Sequence, residues 1–189
     1  NVAAAKAREA KAAQVVYRVH EPPSREKLIA LRDYLATMDR KLAMGQVITP
    51  GLFNAILKDV SDEAEKAQVM EAVLRTQTQA YYGPTNAGHF GLALGSYAHF
   101  TSPIRRYSDL LVHRALVDAY KLEQPEPPGS TPPTTGLSDR DRGNLQQITD
   151  AISGTERRAM EAERRSTRAS LACRALASLQ PSLGWAETV

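Results

Sequence analysis

A mostly α-helical fold with one short β element is what this chain of 189 residues predicts. Two observations carry that reading. Apolar residues recur at three- and four-residue intervals in successive runs, the period of an amphipathic helix. Ser24, Thr49, Ser61 and Ser138 stand where capped helices would open, with proline or acids just behind three of them.

Taken in order, Val2 to Val16 is alanine-rich, carries scattered Lys and Arg and lacks glycine and proline, a strong helix composition. Tyr17 to Pro23 alternates and ends in two prolines, so it is expected to be extended. Ser24 caps a second helix with Leu28, Leu31, Leu35 and Met38 at helical spacing. Gly45 to Val47 is a break. Thr49 and Pro50 open a short helix through Phe53, Ile56 and Leu57. Ser61, followed by Asp62 and Glu63, starts another that runs to about Ala80. The stretch YYGPTNAG, residues 81–88, is full of turn residues and reads as a loop; HFGLAL, residues 89–94, reads as a strand. A helix from Pro103 to about Tyr120 follows, then a proline-rich polar stretch expected to be an exposed, flexible connection. Ser138 with Asp139 and Asp141 restarts helix as far as about Gln180.

SYAHFTSPIRRYSDLLVHRAL, residues 96–116, is the most informative stretch. Ser102 is a suitable N-cap and Pro103 a suitable first helical residue, which would put Arg105 and Arg106 among free amides at the positive end of the helix dipole. That combination favours an anion, phosphate above all. Arg106, Asp109 and His113 share one face by spacing, with Arg105 four residues before Asp109, whereas Ile104, Tyr107, Leu111 and Ala115 would face a core. The plainer alternative is an amphipathic helix whose arginines are solvated or paired with Asp109. Along the last helix, Arg164, Arg165 and Arg168 are minority candidates for an RNA-backbone contact, since Glu161 compensates part of the charge.

Composition narrows the classes. With 42% hydrophobic and 24% charged residues the chain reads as soluble and globular, and its net charge of +3 is compatible with a polyanionic partner without demanding one. The single cysteine, Cys173, excludes an internal disulfide and offers no metal-ligand spacing, so a cytoplasmic setting is expected. No apolar run is long enough for a membrane helix. Asp139 and Asp141, like Asp59 and Asp62, sit at helix starts and read as first-turn acids, not as metal ligands.

GHFGLALGSYAHFTSPIRRYSDLLVHRAL closely resembles the signature near the end of the catalytic domain of the ribonuclease II and ribonuclease R family. RVHEPPSREKL and ERRAMEAER resemble further family segments in the same order. The resemblance implies the helical C-terminal portion of an α+β RNB-type exoribonuclease domain over residues 1–181, with residues 123–137 as a surface loop. Residues 182–189 would begin a following OB-type RNA-binding domain, and the chain would be a piece of a longer protein. The implied activity is processive 3′-to-5′ hydrolysis of single-stranded RNA to nucleoside 5′-monophosphates. Arg105 is implied as the catalytic residue on the scissile phosphate, and its planar fork suits bidentate phosphate contact. Arg106, Ser102, Tyr97 and His99 are the implied RNA contacts. The family uses Mg2+ held by an aspartate cluster that lies earlier in the domain than anything in this chain, so these residues alone are expected to be inactive. An RNA-binding pseudo-enzyme and a helical interaction module remain the other readings.

Overall fold

The computed structural model describes residues 1–11, 14, 16–45, 47–122 and 136–179. The chain divides into two compact units, Asn1–Asp150 and Ala151–Val189. The residues expected to form the proline-rich connection and the start of an OB-type domain lie largely or wholly outside the described ones.

The first unit is built on three helices whose apolar spacing was legible. Helix α2, Arg25–Ala36, packs on α4, Glu63–Thr76, and α4 on α3, Pro50–Lys58. Leu28, Leu31 and Leu35 of α2 meet Phe53, Ile56, Val69 and Val73 in one buried cluster, joined by Leu42 and Val60. Full burial of each such side chain contributes about 1.5–3 kcal/mol. The Ser24 hydroxyl accepts from the Lys27 amide at 3.4 Å, the expected cap. The cap of α4 is Asp62, not Ser61: its carboxylate accepts from the Glu65 amide at 2.7 Å, and a charged acceptor serves the helix dipole better than a hydroxyl. Helix α4 ends at Thr76, where Thr78 turns away to donate its hydroxyl to the Glu21 carbonyl.

The β element lies elsewhere than expected. Strand β1, Tyr17–Val19, pairs antiparallel with β2, Tyr81–Gly83, inside the stretch read as a loop. HFGLAL instead forms a 3₁₀ turn, Phe90–Leu92, bounded by isolated bridges from His89 to His20 and to Leu94. Gly91 explains the exchange. A Cβ there would come within 2.8 Å of His20 Nδ1, and the Gly91 amide donates to that nitrogen at 2.9 Å, a contact a regular strand could not keep. The Ala93 cap, at φ 55°, then reverses the chain.

Helix α1 is Val2–Glu9, shorter than its composition suggested, and it packs on α5, Tyr107–Tyr120. Tyr120 donates its hydroxyl to the Ala7 carbonyl at 2.8 Å. Arg8 is buried between them, and burial pushes its guanidinium down to about 10 against the opposing pull of the Asp118 charge. Past the undescribed residues, α6, Asp139–Gly143, is capped by Ser138 and ends at Asn144 before α7, Leu145–Leu179. One continuous helix was expected here. Asp139 is spent on Arg142 at 3.6 Å.

The second unit contains the rest of α7, mostly exposed over residues 154–172. Arg165 pairs with Glu161 at 2.6 Å, as the i, i+4 spacing predicts, and Arg164 and Arg168 are exposed.

Candidate functional site

The segment before α5 does not continue that helix. Pro103, Ile104 and Arg105 form a separate turn, with the Arg105 and Arg106 amides donating to the Ser102 carbonyl at 3.3 and 3.1 Å. Helix α5 starts at Tyr107 with Arg106 as its extended N-cap residue. The Ser–Pro helix start is thereby corrected: Ser102 caps the turn through its carbonyl, and the two arginines precede the first helical turn. Ile104, expected in a core, is fully exposed, and Tyr107 is 45% exposed; Leu111 and Ala115 are buried as expected.

Asp109 organises this corner. It is wholly buried, and its Oδ1 accepts from the Ser102 amide and Arg106 Nη2, both at 2.8 Å. Its Oδ2 accepts from Arg106 Nε at 2.9 Å and from the Ser108 hydroxyl at 3.1 Å. Burial alone would raise this carboxyl, but the hydrogen bonds from Arg106 and the Ser102 amide, with the Arg106 charge, hold it below the usual carboxylate range. Arg106, in turn, is held above the usual arginine range by its bond to Asp109. The plainer alternative is therefore right for one arginine: Arg106 is paired. Arg105 is not; its exposed guanidinium makes no hydrogen bond or ion pair with the described residues.

Behind the turn runs a row of rings. His20 lies 5.1 Å from His89, His89 5.2 Å from Tyr97, Tyr97 5.8 Å from His99 and His99 5.6 Å from Tyr82, all tilted or edge-to-face. Arg18 covers the Tyr82 ring at 4.5 Å, and the Tyr82 and Tyr97 hydroxyls are near enough to act on the charge of Arg106. The structure thus brings Tyr97, His99, Ser102, Arg105 and Arg106 into one neighbourhood. Tyr97 and His99 are half-buried and already engaged: Asn1 Nδ2 donates to the Tyr97 hydroxyl at 2.9 Å, and His99 Nδ1 lies 3.0 Å from the Tyr82 hydroxyl. His113 stacks on Phe100 at 4.1 Å with its Nε2 2.8 Å from the Phe100 carbonyl.

Several residues that hold this corner gave no local sequence signal. Glu9 accepts from Tyr17, Ser96 and Asn86 at 3.0, 2.8 and 3.2 Å, tying α1 to β1 and to the loop before the turn. Asn1 accepts from the Phe100 amide at 3.0 Å. These partners are far apart in the chain, so no spacing rule finds them; only Arg106 with Asp109 was visible at i, i+3.

Hydrogen bonds fix the orientation of the two central histidines. His20 Nδ1 accepts from Gly91, so its Nε2 carries the proton donated to the Thr78 carbonyl at 2.8 Å. His89 Nδ1 accepts from the Leu92 amide at 3.3 Å, and burial, then the neighbouring His20, lowers its pKa. The unfolded chain takes up that proton near pH 6.5 while the folded one resists it, so the contribution is complete above that pH and is lost as pH falls toward the folded value. His89→Asn, which keeps a cap acceptor without a titrating ring, is expected to flatten part of the fall in melting temperature between about pH 7.5 and 5.5. Parallel pH profiles for the two proteins would overturn this.

Among the described residues no three His, Cys, Asp or Glu side chains converge as metal ligands. Asp109 has no lone pair to spare, and Asp62 is committed to its cap. The described residues do not fit a magnesium site.

Residues 1–121 match the model of the RNB domain. The chain belongs to the RNB-domain family. Ribonuclease R of Vibrio cholerae is 45% identical to this RNB chain over 116 residues, covering 61% of it and 14% of the relative. Ribonuclease R of Escherichia coli is 38% identical over 164 residues, 87% of this chain and 20% of that one. The RNB fold superposes on Mycoplasma genitalium RNase R in complex with ribose methylated single-stranded RNA at a TM-score of 0.73 and 26% identity, covering 88% of this chain and 25% of that one. Yeast Ssd1, a pseudonuclease, shares the fold at a TM-score of 0.60 and 20% identity over 80% of this chain and 18% of its own. The chain thus spans about a seventh to a fifth of the length of these curated ribonuclease R relatives.

Proposed function

We propose that this chain is the C-terminal part of the catalytic domain of a ribonuclease R-type enzyme that removes nucleotides from the 3′ end of RNA by hydrolysis. The observation that carries the reading is Arg105: an exposed, unengaged guanidinium on a turn locked by Asp109, inside the family's signature stretch. Such a group can meet a phosphate with two parallel N–H donors and offset the charge that develops on it during attack by water. The half-buried rings of Tyr97 and His99 and the Ser102 turn stand beside it as secondary contacts to single-stranded RNA. Arg106 contributes through the lock, and any contact it makes with RNA is subordinate to that. The similarity to ribonuclease R of two bacteria, and to a ribonuclease R solved with RNA, supports the same substrate class.

Magnesium, if used, is held by carboxylates outside these residues, and the chain by itself then shows no magnesium-dependent nuclease activity. The intact protein would act on RNA in the cytoplasm. The test uses that intact protein with RNA labelled at one end or the other. A 3′ label is expected to leave at once as a mononucleotide, while a 5′ label shortens stepwise. Internal cleavage products, or no shortening with magnesium present, would overturn the proposal.

A further inference from the structure

We infer that Asp109 is a positioning residue for Arg105, and that Arg106 serves as the arm through which it acts. The inference rests on the reading of Arg105 given above. Its geometry is local and complete. The Asp109 carboxylate reaches back seven residues to the Ser102 amide at 2.8 Å, closing the segment from Ser102 to the first turn of α5 into a ring. Inside that ring the Arg105 and Arg106 amides share the Ser102 carbonyl, and Pro103 fixes one φ. The Arg106 guanidinium lies flat on the same carboxylate, at 2.8 and 2.9 Å, so its own side chain clamps the residue next to Arg105. Ser108 occupies the remaining acceptor position at 3.1 Å.

Every lone pair of Asp109 is therefore spent inside the turn, and none faces solvent. A group so placed cannot take a proton from water or bind a cation. What it can do is fix where the backbone of Arg105 stands. Ile104, Arg105 and Tyr107 are the parts of the ring left exposed, and of these only Arg105 carries a charge. Two adjacent arginines thus divide the work: one is half-buried and held in the clamp, the other is presented. A shift of about 1 Å in a reacting contact costs about 10²-fold in rate, so a loosened clamp is expected to show in turnover before it shows in binding.

The experiment is a double-mutant cycle in the intact enzyme, with Arg105→Ala and Asp109→Asn. Asparagine keeps an oxygen for the Ser102 amide but turns an N–H donor toward Arg106. Asp109→Asn is expected to lower kcat by about 10²-fold with KM nearly unchanged. In the Arg105→Ala background it is expected to lower kcat no further, because the group it positions is gone. Multiplicative losses would overturn the inference, as would wild-type kcat in Asp109→Asn beside a collapsed Arg105→Ala. If Arg105→Ala itself is harmless, the proposed function fails, and the two failures are told apart. Should Asp109→Asn not fold, Arg106→Lys replaces it in the cycle, since lysine keeps the charge and loses the fork. The same coupling with Arg105→Ala is then expected, and its absence counts against the inference.

Discussion

Arg105→Ala in the intact enzyme is expected to reduce kcat by roughly 10²–10³-fold, the scale for removing one donor aimed at transition-state charge. The guanidinium is exposed and makes no hydrogen bond or ion pair with the described residues, so its loss is expected to leave the Asp109 clamp whole and the melting temperature unchanged. Ground-state affinity for RNA is expected to change little, because many phosphates share it along a bound strand whereas charge develops at one. Arg105→Lys should fall between the two, keeping charge but losing the planar pair of donors. Single-turnover rates with RNA binding measured in parallel decide the matter. Wild-type rates for the alanine variant would remove the basis of the functional assignment.

Leu35→Ala is expected to cost about 2–5 kcal/mol of stability, the range for emptying a leucine site in a packed core. Leu35 is fully buried on α2 within the cluster that includes Leu31, Phe53, Val69 and Val73. Urea unfolding should show a lower midpoint with the same slope, which marks lost stability without a changed denatured state. Leu35→Met, nearly volume-conserving, should cost less than about 1.5 kcal/mol. Turnover per folded molecule should be unaffected, since no residue of the arginine turn belongs to that cluster. A loss far below the stated range would mean that α3 and α4 close over the gap.

The contrast between these sites also explains what the sequence made legible. The leucines of α2 could be read because a helix repeats locally and a core needs one apolar face. The pairing of Arg106 with Asp109 could be read for the same reason. The start of α5 could not. Ser102 and Pro103 satisfy every local rule for opening a helix, but the Asp109 carboxylate seizes the Ser102 amide and makes a turn of the next residues. The strand assignment failed likewise: YYG pairs with a partner more than sixty positions earlier, while His20 holds HFGLAL out of regular pairing through the Gly91 amide. That Arg105 stands exposed while Arg106 takes Asp109 was not legible, because exposure and the choice of partner are properties of the folded chain.

The hold of Asn1 and Glu9 on this corner has a practical side for dissecting the protein. A recombinant piece beginning at Ser24 would retain every letter of SPIRRYSDLLVHRAL and the whole helical cluster. It would lose the amide that meets the Tyr97 hydroxyl, the carboxylate that gathers Ser96 and Asn86, and the strand that pairs with β2. The signature is contiguous on paper, yet the contacts that hold it reach from Asn1 past the hundredth residue.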